Sequence, residues 1–247
     1  MSIKENCETI LEKIHAAEAR AGREEGSVKL MAVSKFHPAE AVVEALDAGI
    51  TLFGENRVQE ACGKFPGIFA SHPEAELHLI GSLQRNKVKQ ILPLVSCIQS
   101  VDRLELIQEI AKQKDKLAES VAAGSSMAPK AGTLRLLFEV HTGEESKSGF
   151  TDTDELIRSL EFAAGLKEKG IECTGFMTMA PFTDDGKAIR ASFRQLAKTA
   201  EDMRRRFPEL PLTELSMGMS HDYEIAVEEG STLVRVGTAI FGERVYA

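Results

Sequence analysis

Cysteine is scarce in this sequence, which limits how the fold can be stabilised. The four cysteines are Cys7, Cys62, Cys97 and Cys173, and no CxxC pair or nearby pair of histidines accompanies them. Disulfide frameworks and cysteine-based metal sites use cysteines at short, repeated spacings. We therefore expect four reduced and mostly buried thiols, and no bound metal. With 247 residues, the chain is long enough to form a core without either device.

Positive charge and long apolar runs are also lacking. The formal net charge is −8, whereas a general nucleic-acid binder needs a basic surface to meet phosphates. A local basic pocket for one small anion is still compatible with this charge. No apolar run approaches the ~20 residues of a membrane span, and the N-terminal MSIKENCETI has no apolar signal core. We expect a cytoplasmic protein that binds neither nucleic acid nor membranes.

The regular feature of the sequence is an alternation of short apolar runs with helical patterns. An amphipathic helix over 2–21 comes first, with Ser2 and Glu5 as a possible capping box. Eight candidate strands follow, at 29–33, 50–53, 76–80, 95–99, 133–140, 171–177, 211–215 and 232–236. Helical stretches lie between them, near 38–48, 57–62, 84–92, 102–116, 153–168, 185–206 and 221–229. Such alternation is typical of βαβ units in a parallel sheet.

The strand count favours a closed barrel. An open doubly wound sheet could also use eight strands, but no GxGxxG follows the first one. The segment 117–132 is rich in small residues, and we interpret it as a loop between strands four and five. No linker divides the chain. The sequence therefore predicts a single α/β domain over 1–247, a (β/α)8 TIM-type barrel with an extra N-terminal helix.

Lys35 stands where the first strand ends, in the segment AVSKF. Active sites of such barrels lie at the carboxyl ends of the strands. Most single lysines in that position are solvated residues of the rim. A lysine can also form a Schiff base with a carbonyl compound, provided that its amine is partly neutral. Lys35 alone does not distinguish the two interpretations.

The ends of strands seven and eight indicate a phosphate site. SMGMS, from Ser216 to Ser220, follows strand seven, and Gly237 and Thr238 follow strand eight. These two loops often bind phosphate in barrels, because glycine lets backbone N–H groups approach an oxyanion and hydroxyls add hydrogen bonds. Ordinary turn and capping chemistry would explain either segment alone. Their presence on both strands favours the phosphate site.

Arg235 lies within strand eight, where an unpaired arginine would be costly. A salt bridge to a glutamate is one explanation. The other is a hydrogen bond to the ring nitrogen of a cofactor, which a guanidinium would leave unprotonated. His78 fits a satisfied core histidine, Met177 and Met179 fit packing, and Lys147 fits a solvated loop lysine or a second amine near the mouth.

Six segments together resemble the pyridoxal phosphate homeostasis protein family, which is related to the N-terminal barrel of alanine racemase. They are AVSK (32–35), FGENRVQE (53–60), HLIGSLQRNK (78–87), SKSG (146–149), SMGMSHDYE (216–224) and RVGTAIFGER (235–244). The resemblance spans nearly the whole chain, and it implies a fold type III barrel that binds pyridoxal 5′-phosphate (PLP). The family is associated with intracellular PLP supply and with amino-acid and keto-acid balance, without an established catalytic turnover.

The resemblance also implies roles for individual residues. Lys35 would form the Schiff base, Arg235 would face the pyridine nitrogen, and Asn56 would lie close to the cofactor. Lys147 would be an accessory amine. The phosphate would be held by the remaining candidates, Ser216, Gly237, Thr238 and, more weakly, Ser220.

Three functions remain open from the sequence. The first is a PLP carrier, with apo-forms of PLP enzymes as possible recipients. The second is an amino-acid racemase, which needs a proton acceptor on each face of the substrate carbon. Lys35 could serve one face, but the only tyrosines are Tyr223 and Tyr246, and we expect no second domain after strand eight to supply another. The third is a Schiff-base aldolase of sugar phosphates. We favour the carrier, and we expect a monomer.

Overall fold

The protein folds as a closed barrel of eight parallel strands. The computed structural model describes residues 2–124, 132–143 and 148–243. Neighbouring strands pair in chain order, and β8 pairs with β1 to close the barrel. The strands are β1 (Lys29–Val33), β2 (Leu52–Glu55), β3 (Glu76–Leu79), β4 (Cys97–Val101), β5 (Leu134–Glu139), β6 (Ile171–Met177), β7 (Glu214–Ser216) and β8 (Leu233–Val236). The predicted (β/α)8 architecture is confirmed.

The helices surround the barrel. In the described part of the chain they are α1 (Ile3–Arg20), α2 (Ala39–Asp47), α3 (Val58–Ser71), α4 (Val88–Ile91), α5 (Leu104–Ala122), α6 (Thr153–Ala164), α7 (Gly186–Arg206), α8 (Tyr223–Glu228) and α9 (Thr238–Phe241). The extra helix α1 begins with the predicted capping box, in which Ser2 accepts a hydrogen bond from the Glu5 amide and Glu5 accepts one from the Ser2 amide. It packs against α2, α8 and α9.

Three expectations for the helices need correction. Residues 117–122 are not loop, because α5 continues through them, and residues 125–131 lie outside the described part of the chain. Leu117, Glu119 and the two alanines of the segment 117–122 favour a helix. Helix α3 extends to Ser71, past Pro66, where the sequence suggested an end near residue 62. The short helix α9 was not predicted.

The strands have two different faces. Residues that face outward join the surrounding helices in one large apolar core, which includes Phe53, Phe65, Phe138, Phe176 and Phe193. Two small separate apolar clusters lie elsewhere, one around Met31 and Leu233, the other around Cys97, Leu137 and Met177. Because side chains of a strand alternate between its faces, these clusters belong to the barrel interior. Polar side chains share that interior, and they form the site described below.

Two further expectations concern the whole chain. All four cysteines are free, and Cys7, Cys97 and Cys173 are buried, as expected. Within the part of the chain that the structure describes, the helices are too short or too polar to cross a membrane.

Candidate functional site

A cavity of about 450 Å³ opens at the carboxyl ends of the strands. This is the end of the barrel where binding sites occur in this architecture. Residues at the ends of the strands, or in the loops that follow them, line it, and all strands but β4 contribute. Six of the seven predicted cofactor residues are among them, namely Lys35, Asn56, Ser220, Arg235, Gly237 and Thr238. The seventh, Ser216, lies at the end of β7, is fully buried and is not part of the lining.

Lys35 is next to a strained residue. Phe36 has a φ of 66°, and it is the only non-glycine residue with positive φ among those that the structure describes. The left-handed conformation costs a residue with a Cβ atom about 1–2 kcal/mol. Contacts with other parts of the chain must therefore stabilise the turn at Lys35 and Phe36, which carries Lys35 into the cavity.

Those contacts come from three charged side chains, Glu55, Glu60 and Lys64, together with Ser34. We call these four residues, which lie beside Lys35, the Lys35 cluster. The Lys64 ammonium group donates to Glu55 Oε1 at 2.7 Å, to the Ser34 carbonyl at 2.9 Å and to Glu60 Oε1 at 3.1 Å. Ser34 Oγ also donates to Glu55 Oε1, at 2.7 Å. The Phe36 amide donates to Glu60 Oε1 at 2.5 Å. The three N–H donors of Lys64 are thereby used in full.

Burial makes the Lys35 cluster costly to form. The Glu55 side chain is fully buried and that of Lys64 is 7% exposed. Burial raises the pKa of Glu55 above its usual value, against the opposing effect of Lys64. Its second oxygen, Oε2, has no hydrogen-bond partner among the described residues. A buried ion pair seldom stabilises a fold more than apolar residues of equal size would, so its presence beside Lys35 calls for another explanation.

Arg235 is held by neutral acceptors rather than by a salt bridge. Its Nη1 donates to the carbonyl and to the Oγ of Ser216, both at 2.7 Å, and its Nη2 donates to the Thr178 carbonyl at 2.8 Å. These bonds use three of the five guanidinium N–H groups. Burial lowers the pKa of Arg235 to about 10, so the side chain remains charged at neutral pH. The other two N–H groups have no acceptor among the described residues, so they could donate to a ligand in the cavity.

Ser216 starts a chain of hydrogen bonds that leads away from the cavity. Its Oγ donates to Gln99 Oε1 at 2.7 Å, and Gln99 Nε2 lies 2.8 Å from His78 Nδ1. We call Arg235, Ser216, Gln99 and His78 the Arg235 relay. Its four side chains come from β8, β7, β4 and β3, and each is at least 96% buried. His78 is therefore a core histidine with satisfied ring nitrogens, in agreement with the interpretation from sequence.

The relay ends at a charged group on the opposite side of the barrel. His78 Nε2 lies 3.1 Å from Glu76 Oε1, and Arg135 bonds to both Glu76 and Glu214. Burial lowers the pKa of His78, which keeps the imidazole neutral. The hydrogen bond with His78 brings the pKa of Glu76 down to about 2, against the opposing effect of burial. Arg235 is thus connected to the far end of the barrel through uncharged groups.

Two backbone amides after β8 point toward the serine hydroxyl that follows β7. The amides of Gly237 and Ala239 both lie near Ser220 Oγ, at 3.2 and 3.4 Å. These are long hydrogen bonds, and an oxyanion would be a stronger acceptor for the same amides. Ser220 Oγ accepts in both bonds, and its hydroxyl hydrogen has no acceptor among the residues that the structure describes. The chemistry of these groups suits a phosphate.

Asn56 is brought to the mouth by a close approach of two chain segments. A Cβ atom on Gly81 would lie 2.3 Å from the Asn56 carbonyl oxygen, so only glycine allows the loop after β3 to pass here. Asn56 and Gly81 both line the cavity. Lys147 lies outside the described residues. Met177 and Met179 line the cavity and pack with Cys97 and Leu137.

Several functional candidates could not be identified from the sequence. Glu139, at the end of β5, lines the cavity and is 3% exposed. Burial raises its pKa, and Ser148 Oγ donates to its Oε1 at 2.7 Å. Phe182 and His221 stack edge to face at the mouth, with ring centroids 5.5 Å apart.

Tyr223 is buried and is not among the residues that line the cavity, and Tyr246 lies outside the described residues.

Comparisons with known proteins agree with this geometry. The alanine racemase N-terminal domain family matches residues 6–245. The pyridoxal phosphate homeostasis protein of Aquifex aeolicus is 36% identical over 248 residues and covers both chains completely. That of Vibrio cholerae is 37% identical over 249 residues, covering 100% of this chain and 98% of the relative.

Solved structures give the same picture. PipY of Synechococcus elongatus, in a structure with PLP bound, is 34% identical with a TM-score of 0.77, covering 93% of this chain and all of PipY. Alanine racemase from Streptomyces lavendulae has a TM-score of 0.66 at 18% identity, covering 95% of this chain and 57% of the racemase. The racemase likeness concerns the fold alone.

Proposed function

The chain belongs to the pyridoxal phosphate homeostasis protein family, within the alanine racemase N-terminal domain family, and on that premise we propose that it binds PLP through Lys35 and supplies it to other proteins. The whole chain, 1–247, would act as one cofactor-binding barrel in the cytoplasm. The observation that carries the proposal is the arrangement of one cavity: an amine, a buried guanidinium with free N–H groups and a set of convergent amides line it together.

The residues present fit each part of the cofactor. The Lys35 amine would attack the aldehyde, and the Arg235 guanidinium would donate to the ring nitrogen. The phosphate would be held by Ser220, Gly237 and Thr238, and Asn56 would lie beside the ring. PLP supplies an aldehyde that condenses with a neutral amine to form a Schiff base and one water molecule. Lys147 is proposed, on the family resemblance alone, as an accessory amine.

The structure suggests a different role for Ser216 from the one expected. It is fully buried below the cavity and bonds to both Arg235 and Gln99, so we propose that it orients the guanidinium. A charged Arg235 leaves the ring nitrogen without a proton, because it can only donate there. Such a ring is a weaker electron sink than one that faces a carboxylate. Recipients would be apo-forms of PLP enzymes, and the carrier would act as a monomer.

The decisive experiment measures where PLP becomes attached. The purified chain is mixed with PLP, its visible spectrum is recorded, and the linkage is reduced with borohydride and located by peptide mass. We expect a yellow species and a modification at Lys35. Lys35→Ala should abolish both while the melting temperature changes by only a few degrees, because a lysine at the mouth contributes little to the core.

Lys29→Ala provides a matched control, because Lys29 is an exposed lysine at the opposite end of the same strand. It should behave like the wild type. Unchanged labelling in Lys35→Ala, or a colourless wild type, would contradict PLP binding at this residue and revive the sugar-phosphate aldolase. Inversion of L-alanine above the rate with free PLP would indicate a racemase. Transfer of PLP to an apo-enzyme, faster than release into buffer, would support the carrier.

A further inference from the structure

Lys64 is an unusual residue for the outer layer of a barrel. It lies on α3, yet its side chain is 7% exposed, and lysine is among the residues least often buried. Its ammonium group is not directed at solvent or at the cavity. It reaches 30 residues back along the chain to the carbonyl oxygen of Ser34. The contacts of this ammonium group show what it stabilises.

The Lys35 cluster holds the two peptide groups on either side of Lys35. Lys64 binds the Ser34 carbonyl, which belongs to the peptide group that precedes Lys35. Glu60 accepts a hydrogen bond from the Phe36 amide, which belongs to the peptide group that follows it. Lys64 also pairs with Glu60, so both contacts depend on one ammonium group. The direction of the Lys35 side chain is set by these two peptide groups.

The segment that these contacts hold, from Ser34 to Phe36, is not in its preferred backbone conformation. Phe36 is held at a φ of 66°, in the left-handed region that a phenylalanine rarely adopts. The amide of this same residue donates to Glu60. The strained residue is therefore also one that the Lys35 cluster holds, and it is the neighbour of Lys35, the residue that would react. We call the two contacts of the cluster, with the Ser34 carbonyl and the Phe36 amide, the clamp.

We propose that Lys64, Glu55 and Glu60 position Lys35 for reaction, by holding its two flanking peptide groups and the strained conformation of Phe36. The proposal rests on the function proposed above, and it names the residues that make Lys35 reactive by orienting it. Lys64 and Glu60 are positioning residues, because neither lines the cavity. Glu55 fixes the Lys64 ammonium group from the barrel side, through β2.

The test removes Glu60 rather than Lys64. Lys64→Met would leave the carboxylate of Glu55 buried without a counter-charge, which threatens folding. Glu60 is 21% exposed, so Glu60→Ala should fold and melt within a few degrees of the wild type. We expect PLP to attach to Lys35 more slowly in this variant, on the order of 10- to 100-fold, because misorientation of a reacting group has effects of this size. Glu44→Ala, an exposed glutamate on α2, is the matched control.

Two further variants separate orientation from general stability. Glu60→Gln keeps an oxygen acceptor for the Phe36 amide, so attachment should stay within about threefold of the wild type. Phe36→Gly removes the cost of the left-handed conformation, so the double variant Glu60→Ala/Phe36→Gly should recover much of the lost rate. A merely structural role of Glu60 predicts no recovery from a glycine at position 36.

A measurement without PLP completes the test. Hydrogen exchange at the Phe36 amide should be slow in the wild type and at least tenfold faster in Glu60→Ala. If the wild type fails to attach PLP at Lys35, the proposed function fails, while the exchange rates still decide whether the clamp exists. Wild-type attachment and exchange rates in Glu60→Ala would overturn the positioning role. So would a slow Glu60→Ala that Phe36→Gly does not rescue.

Discussion

The two ends of the cavity are built on opposite electrostatic principles. At one end the Lys35 cluster combines three charged groups, an unsatisfied carboxylate oxygen of Glu55 and a strained residue, Phe36. At the other end the Arg235 relay surrounds one charge with neutral acceptors in regular strands. Glu55 and Lys64 at one end are about as deeply buried as Arg235 at the other, so the difference between the two ends does not reflect solvent exposure alone.

This difference matches what each end would have to do. A residue that forms and breaks a covalent bond must change its geometry, and a turn stabilised by a few strong contacts permits such a change. A residue that holds a ring nitrogen needs only to stay in place, and a connected network of buried hydrogen bonds supplies that rigidity. Strain near Lys35 and its absence near Arg235 are therefore complementary features of the proposed carrier site.

The largest expected effect comes from removing the charge of the relay. Arg235→Met should weaken PLP binding by roughly 10- to 100-fold, because one hydrogen bond from a charged donor contributes about 1.5–3 kcal/mol. Lys35 should still react, since its own cluster is untouched. Equilibrium titration of the absorbance, with labelling of Lys35 as the second readout, measures both ends separately.

Arg235→Lys serves as the companion variant. It keeps a positive charge but lacks the planar fork that reaches Ser216 and Thr178 together, so its affinity should lie between those of the other two proteins. If Arg235→Met binds PLP with the affinity of the wild type, Arg235 does not hold the cofactor, and the contrast between the two ends of the cavity is wrong.

The barrel itself was predictable from the sequence, for a clear physical reason. Parallel strands that are covered by helices are buried on both faces, so each reads as a short apolar run, and all eight runs overlap with strands. Boundaries of weakly apolar segments were not predictable. Residues 117–122 hold Leu117 and Val121 at helical spacing, but the run of small residues after them hides the point at which the helix ends.

The site was predictable only where residues stand at strand ends. Lys35 and Gly237 are such residues, and the barrel geometry alone brings them together. Lys64 and Gln99 have no such signal, because a lysine in a helix and a glutamine in a strand are ordinary residues. Their roles come from contacts with partners 30 and 117 residues away, which only the folded chain creates.

A smaller effect is expected from interrupting the relay at its centre. Gln99→Leu should leave His78 Nδ1 and Ser216 Oγ buried without their partner, at about 1–3 kcal/mol for each group. The melting temperature should fall by roughly 4–24 °C, since 1 kcal/mol corresponds to about 2–4 °C in a chain of this size. PLP affinity should fall with it, while the Phe36 amide keeps its wild-type exchange rate.

Gln90→Leu is the control for this variant, because Gln90 is an exposed glutamine on α4. It should melt within about 1–2 °C of the wild type. Faster exchange at Phe36 in Gln99→Leu would show that the two ends are coupled, which contradicts the division between them.

The smallest effect concerns Glu139, which lines the cavity but belongs to neither end. Burial raises its pKa in the folded protein, so the folded state holds this proton to higher pH than the unfolded state does. Stability must therefore fall as pH rises from the usual carboxyl pKa through the folded-state pKa.

Glu139→Gln removes this loss and keeps an oxygen for the Ser148 hydroxyl. We expect its melting temperature to exceed the wild-type value by roughly 1–3 °C at pH 7 and to show no such advantage at pH 4. Calorimetry at both values, with exposed Glu40→Gln as control, tests this, and an equal difference at the two pH values would show that burial of the charge is not the cause.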